Sequence, residues 1–393
     1  MTDPTPKQPL DRTEALEAGI ALPASLARVL EWLRTHLHGP VDLDTLAAIA
    51  GVRPRTLEQH FKQFLGTTPL GWVRSARLAR ARQELLNANP QATVTHAALA
   101  SGFNQLGRFA AEYRRAFGEQ PSQTLRRTRL SIPGRVDIVD DEALRLTCRA
   151  MPAAFAVAPK ECNAALEDLE RAQELAPNYG LAKAMAAWCW AQRAAQRFSS
   201  TPGEDLARAR RLAQAACRLS PEDGTTLALA AGAISLAHRV GEADDLIERA
   251  LARDPWSPIA LMRRGWTSAY LGDSDGALSE FKKTLHLMPF EPVRHLTFIG
   301  TGCAHFAAGR YDRAALWIRS GVEAYPQSFW AERVLVAAAA HSGARADARR
   351  MVRRLMRKDP DLTISHAMRA WPFRPEFMAR LGEGLNIAGL PRA

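Results

Sequence analysis

Cysteine is scarce in this chain, and the five present (Cys148, Cys162, Cys189, Cys217, Cys303) are odd in number, scattered and without a Cys-x-x-Cys pair. That argues against a disulfide framework and a zinc ribbon, and for reduced, mostly buried thiols in a cytoplasmic protein. Long hydrophobic runs are also missing. The most apolar windows, Leu227–Ala237 and Val334–Ala340, are Ala-rich and fall far short of the ~18 apolar residues of a membrane span, so no membrane partner is expected. Residues 1–23 carry acidic, Pro and Lys positions in place of a signal peptide and read as a disordered tail. Segments alternating with a period of two are few, which leaves little room for strands. The phosphate-cradling, zinc-protease and serine-hydrolase signatures are all absent. His36 and His38 stand two apart, a spacing that points them to different sides of a helix, so no metal site is read there. Cys303 and His305 lie in an Ala/Gly-rich stretch where a small buried thiol is ordinary. No enzyme and no cofactor are expected.

What is present favours helix. Hydrophobic residues make up 47% of 393, with abundant Ala, Leu, Arg and Glu, and the fold class is all-α with two or more units. The formal net charge of +11 suits a polyanionic partner.

The second half repeats. Prolines close successive segments at Pro177, Pro221, Pro255, Pro289, Pro326 and Pro360, spaced 44, 34, 34, 37 and 34 residues apart. Twelve residues before each stands an alanine: Ala165, Ala209, Ala243, Ala277, Ala314 and Ala348. A proline ends the second helix of each pair, and the alanine marks where paired helices pass too closely for a larger side chain. Gly272, Gly309 and Gly343 sit seventeen before their prolines, at the turn within the pair, and Gly265 and Gly302 twenty-four before theirs. Leu169, Ile247, Phe281 and Ile318 stand eight before. The 44-residue spacing implies an insertion near Phe198–Gly203. This pattern resembles the tetratricopeptide repeat over residues 141–360, about six units, with a C-terminal cap over 361–393 whose second helix runs from Pro375 to Leu381. The resemblance implies an α-solenoid with a concave groove for a protein or peptide. Which of Trp188, Trp190, Trp256, Trp266, Trp317 and Trp330 face that groove stays open.

Between Pro23 and Arg127 the pattern differs. Leu43–Ala50 reads as a short helix ending in the Gly51-Val52 turn, and Pro54 opens a second helix with Leu57, Phe61 and Phe64 on one face, closed by Gly66. The arrangement recurs: Val94–Ser101, the Gly102-Phe103 turn, then Gln105–Phe117 with Phe109, Tyr113 and Phe117 on one face, closed by Gly118. Leu70–Asn87 joins them, with Leu78, Ala81, Leu85 and Leu86 inward. Its eighteen residues make a helix ~27 Å long, approaching the ~34 Å between successive major-groove faces. Residues 41–130 hold 13 Lys/Arg against 6 Asp/Glu, most of the chain's excess.

These strings, with Leu46-Ala47, Arg77–Leu86 (RLARARQELL), Val94, Ala98 and Pro121, resemble the AraC/XylS family of bacterial regulators over about a hundred residues (24–128, with a linker at 129–140). The resemblance implies a double helix-turn-helix that binds double-stranded DNA. Arg53 and Gln59 stand where the family commonly has Ser and Arg, and Gly107 and Ala111 replace the same pair in the second unit, so its usual anchors are thinned. Most members carry this domain behind an effector domain; here it precedes the repeats, so no sugar-type effector pocket is expected.

By position, Arg55, Glu58 and Gln59 face base edges in the first unit, and Asn104, Gln105, Leu106 and Arg108 in the second. Lys62, Arg114 and Arg115 suit phosphates. The expected function is a sequence-specific transcription regulator that sets the array beside RNA polymerase, with the array binding a partner or setting the oligomeric state, itself open. The alternative is a repeat scaffold whose helix-turn-helix domain no longer reads DNA.

Overall fold

The computed structural model describes residues 23–65, 67–86, 93–130, 140–287, 294–369 and 371–392, all helix and connecting turn with no strand. Residues 1–22 of the tail expected at 1–23, most of the linker, Gly66, Asn87, Pro289 and the Phe64 side chain lie outside the described residues. The chain divides into two compact units, Met1–Gly134 and Arg135–Ala393.

The first unit holds α1 (Ala24–His36), α2 (Leu43–Ala50), α3 (Pro54–Leu65), α4 (Pro69–Leu86), α5 (Val94–Ala100), α6 (Leu106–Phe117) and α7 (Pro121–Leu130). Asp42 caps α2 by accepting from the Thr45 N–H, and Thr93 caps α5 by accepting from His96. The turn glycines Gly51 and Gly102 are left-handed, at φ 67° and 83°. A Cβ at Gly102 would also meet the His38 carbonyl at 2.9 Å. Leu57, Phe61, Phe109 and Tyr113 are fully buried, and Leu86 only partly. Helices α1 and α7 carry no turn signature strong enough to announce them, and the sequence reading passed over both. Yet α1 supplies Leu26, Val29 and Leu33 to the core, and its Ser25 hydroxyl bonds His60 on α3 at 3.0 Å.

The second unit stacks six antiparallel pairs: α8 (Asp141–Ala156) with α9 (Pro159–Leu175), α10 (Gly180–Ala195) with α11 (Pro202–Leu219), α12 (Gly224–Leu236) with α13 (Val240–Arg253), α14 (Pro258–Tyr270) with α15 (Ser274–Leu287), α16 (Arg294–Ala307) with α17 (Tyr311–Ala324), and α18 (Glu332–His341) with α19 (Arg345–Lys358). All six repeat alanines are completely buried. A Cβ at Gly265 would meet the Phe281 ring at 2.7 Å, and one at Gly302 the Ile318 side chain at 2.4 Å. The glycine twenty-four before the proline therefore exists to admit the residue eight before it. The ten extra residues of the second pair are shared out: α10 and α11 have 16 and 18 residues where α12 and α13 have 13 and 14, and the turn between them is longer. In the third pair His238 occupies the glycine's place and still takes φ 60°. A β-carbon costs about 1 kcal/mol in that region, so His238→Gly should raise the melting temperature by a few degrees, read by calorimetry.

The first helices of successive pairs pack on one another and form the inner layer. The array curls until its ends meet: the Trp330 indole N–H donates to the Val157 carbonyl at 3.1 Å, and Arg197 pairs with Asp359 at 3.4 Å. A C-terminal cap of α20 (Ile364–Met368) and α21 (Pro375–Ile387) follows. Here the sequence reading needs correction, because α21 continues six residues past Leu381. Gly382 and Gly384 look like helix breakers, but tight packing overrides propensity: a Cβ at Gly384 would meet the Ala337 backbone at 2.7 Å.

Cys303 and His305 are both buried on α16. Burial pushes the thiol up, and burial together with Arg310 and Arg313 pulls the imidazole down to about 3. The Arg310 Nε–H donates to His305 Nδ1 at 3.0 Å, which fixes a neutral ring. An unfolded histidine protonates near 6.5, so the unfolded state binds more protons between pH 6.5 and 3, and stability falls as pH drops through that window. We expect His305→Gln, which keeps an acceptor for Arg310, to lose on the order of 3 kcal/mol less than the wild type between pH 7 and 4. Parallel pH curves for the two proteins in thermal melts would refute this.

Candidate nucleic-acid interface

In the first helix-turn-helix, Leu57 and Phe61 bury one side of α3. Arg55, Glu58, Gln59 and Lys62 therefore fall together on the other, at intervals of three and four, and all four are exposed. In the second, Asn104 and Gln105 lie just before α6, with Gln105 its N-cap and not its first residue. Leu106, Arg108, Arg114 and Arg115 are exposed on α6; Arg108 and Arg115 lie opposite the Phe109–Tyr113–Phe117 face, Arg114 to its side, and Leu106 at the N-terminal end of that face.

The two surfaces differ in charge. Glu112 on α6 pairs with Arg108 at 2.9 Å and with Arg74 of α4 at 3.5 Å. A carboxylate thus sits between two arginines and lowers the positive potential of the second surface, while the first carries its own carboxylate, Glu58, exposed beside Arg55 and Lys62. Arg74, Asn104, Gln105 and Arg108 line one cleft between α4 and α6. Sequence reading missed Arg74, because its partner lies thirty-eight positions away and no local spacing signals the contact.

Three arginines, one exposed, one half-buried and one buried, hold these surfaces in place. Arg28 of α1 donates to the Ile49 and Ala50 carbonyls at the C-terminus of α2, fixing the first turn. Arg77, midway along α4, donates to Leu37 at 2.8 Å, to Gly39 at 2.5 Å and to Gly102 at 3.3 Å. One guanidinium thereby ties the loop after α1 to the second turn, and burial lowers its pKa. Arg82, only 2% exposed, donates to Glu119 Oε1 at 2.8 Å and lies over the Phe117 ring. The Thr124 hydroxyl of α7 donates to the same carboxylate at 2.8 Å and bonds the Tyr113 hydroxyl at 2.9 Å. The relation between the two recognition surfaces is therefore built from α4 outward. Its eighteen residues span ~27 Å.

Among the described residues no group of three His, Cys, Asp or Glu is placed to hold a metal, and no helix is long and apolar enough to cross a membrane.

A family profile described as a helix-turn-helix domain matches residues 46–127. The chain is 37% identical over 116 residues to the probable thc operon regulatory protein of Rhodococcus erythropolis, covering 29% of this chain and 35% of that protein. It is 42% identical over 108 residues to XylDLEGF operon transcriptional activator 3 of Pseudomonas putida, covering 27% and 32%. The crystal structure of a probable AraC family transcriptional regulator from Rhodopseudomonas palustris CGA009 is 35% identical, covering 27% of this chain and 97% of that one, with a TM-score of 0.26. The chain spans about a third of the length of the curated relatives it matches. The first unit, with its two helix-turn-helix motifs on one linker helix, belongs to the AraC/XylS family, and in this chain it is fused to a tetratricopeptide-like helical array.

Proposed function

We propose that the chain is a sequence-specific, double-stranded-DNA-binding transcription regulator. The observation that carries the reading is the pair of solvent-facing recognition surfaces held on α4 by Arg77 and Arg82. In this reading α3 enters a major groove, where Arg55 suits guanine, Gln59 adenine and Glu58 a cytosine amino group. Asn104, Gln105, Leu106 and Arg108 meet the next groove segment, with Leu106 limited to a thymine methyl. Lys62, Arg114 and Arg115 contact phosphates and set register. Since Glu112 already engages Arg108, the first helix-turn-helix carries most of the sequence discrimination. The array binds a protein or peptide partner or sets the oligomeric state, and it stands beside RNA polymerase when the first unit is on a promoter. Such a partner uses the outer layer or displaces the chain's own Trp371–Phe373, which packs on the inner layer against Trp330 and Tyr270.

The test is genome-wide recovery of DNA bound to tagged full-length protein, with Arg55→Ala/Gln59→Ala alongside. The expected result is a shared motif spanning two adjacent groove segments, lost in the double variant at about 1–3 kcal/mol per residue. Lys62→Ala should weaken all sequences alike and reduce the salt slope by about one. Flat recovery insensitive to the variant would sink the reading and favour a repeat scaffold that does not read DNA.

A further inference from the structure

The inner layer of the array encloses a chamber walled by Trp188, Trp266, Trp330 and Trp371, with Gln192 and Gln196 as its amides. Arg263, from α14, reaches into it. Its side chain is 4% exposed and its guanidinium lies over the Trp188 ring, 3.6 Å from the centroid. No carboxylate among the described residues pairs with it, and both Nε and Nη2 lack a hydrogen-bond partner. A second arginine, Arg333, lies behind the wall, 2% exposed and 4.2 Å from the centroid of Trp371. It donates to the Trp330 carbonyl at 2.9 Å and to Gln196 Oε1 at 2.7 Å, while its Nη1 is unsatisfied. Burial draws the two guanidiniums down to about 10 and about 9, so both remain cationic at neutral pH.

Buried cations are normally paired, and an unpaired one is disfavoured in an apolar interior. Cation–π contact offsets part of that for Arg263, but it leaves the N–H edge of the fork free. The free pair, Nε and Nη2, is the side-on edge of the guanidinium, whose two parallel donors match the two oxygens of a carboxylate. The free volume is about 20 Å³, the room of a single water, so a carboxylate is admitted only as the Trp371–Phe373 segment shifts.

We propose that the inner chamber of the repeat array is a binding site for a short-chain carboxylate, held bidentately by Arg263 with Arg333 as the second charge. The apolar remainder of the ligand lies against the tryptophan faces, and its entry moves the Trp371–Phe373 segment that closes the array. This goes beyond the DNA-binding reading and stands independently of it, because occupancy is read on the array itself.

The experiment uses the full chain in calorimetry and tryptophan fluorescence. It is titrated with formate, acetate and propionate, with formamide, acetamide and propionamide, and with inorganic phosphate and chloride, all at constant ionic strength. A saturable rise in melting temperature of roughly 5 °C for a carboxylate, with a fluorescence change and no response to its amide, is expected. Arg263→Met, which replaces the buried charge with a side chain of similar length, should abolish that response and melt no lower than wild type without ligand, since it removes an unpaired charge. Gln196→Leu, which removes the acceptor shared by Arg333 and the Trp371 indole N–H and the donor to Gln192 but leaves Arg263 in place, should shift the titration midpoint without abolishing it. Equal responses to carboxylate and amide, to carboxylate and chloride or phosphate, or in wild type and Arg263→Met would each overturn the proposal. So would destabilisation of Arg263→Met with no carboxylate response in wild type, which would make Arg263 a structural tie to Trp188.

Discussion

Deleting residues 361–393 is expected to unfold the repeat array of the truncated protein, not merely to shorten it. The cap buries Trp371, Phe373, Phe377, Met378, Leu381 and Leu385, none more than 7% exposed. At about 1.5–3 kcal/mol for each large apolar side chain, their burial is worth on the order of 10 kcal/mol, comparable with the whole net stability of a domain. The same segment closes the curl. The Arg374 amide donates to the Tyr270 carbonyl at 3.2 Å, and Arg380 donates to Ala307 at 2.8 Å. Without it, α18 presents an Ala/Val-rich face to water, the condition that terminal capping units of solenoids prevent. Calorimetry should show the array's transition lost or lowered by more than 10 °C, with aggregation. Gly384→Val is the point version: its side chain meets the Ala337 backbone and should cost about 1–3 kcal/mol. A truncated chain that melts with the full-length protein would show that the six pairs suffice alone.

Glu119→Ala should destabilise the second helix-turn-helix by about 3–5 kcal/mol, the usual consequence of removing the carboxylate partner of a buried charge. The asymmetry of the pair makes the prediction specific. Arg82 is 2% exposed and cannot reach water, whereas the Glu119 side chain is 19% exposed and can. Arg82→Met should therefore cost less than Glu119→Ala, although both break the same contact. Loss of the carboxylate also removes the acceptor of the Thr124 hydroxyl, leaving it its bond to Tyr113, which loosens α7 from α6. Hydrogen exchange reads the effect locally: amides of α6 and α7 should lose protection, while those from residue 140 onward keep theirs. Equal protection in variant and wild type, or a costlier Arg82→Met, would refute it.

Much of the fold is written in local pattern. The alanine twelve before each proline and the Gly51 and Gly102 turns are legible because a helix end, a tight turn and a close helix crossing each admit few residue types. Such constraints act within a few residues of chain, so spacing alone reveals them. Exposure of Arg55, Glu58, Gln59 and Lys62 follows the same way, since Leu57 and Phe61 must go inward. His238 shows where local pattern stops: its left-handed backbone is imposed by the pair it joins, and no glycine announces it.

Tertiary structure alone decided the rest. The pairing of Glu112 with Arg74, the Arg77 tie across the turns and the extension of α21 past its glycines depend on partners tens of residues away. The same holds for the curl that joins Val157 to Trp330 and gathers Arg263 among tryptophans from distant pairs. The sequence by itself determined two units, a paired helix-turn-helix and about six stacked helix pairs, because each rests on short-range sterics and helical periodicity. How tightly the array closes, which tryptophans face inward and which arginines are left without an acid were decided by packing summed over six repeats, where a small rotation per repeat has no signature in any one of them.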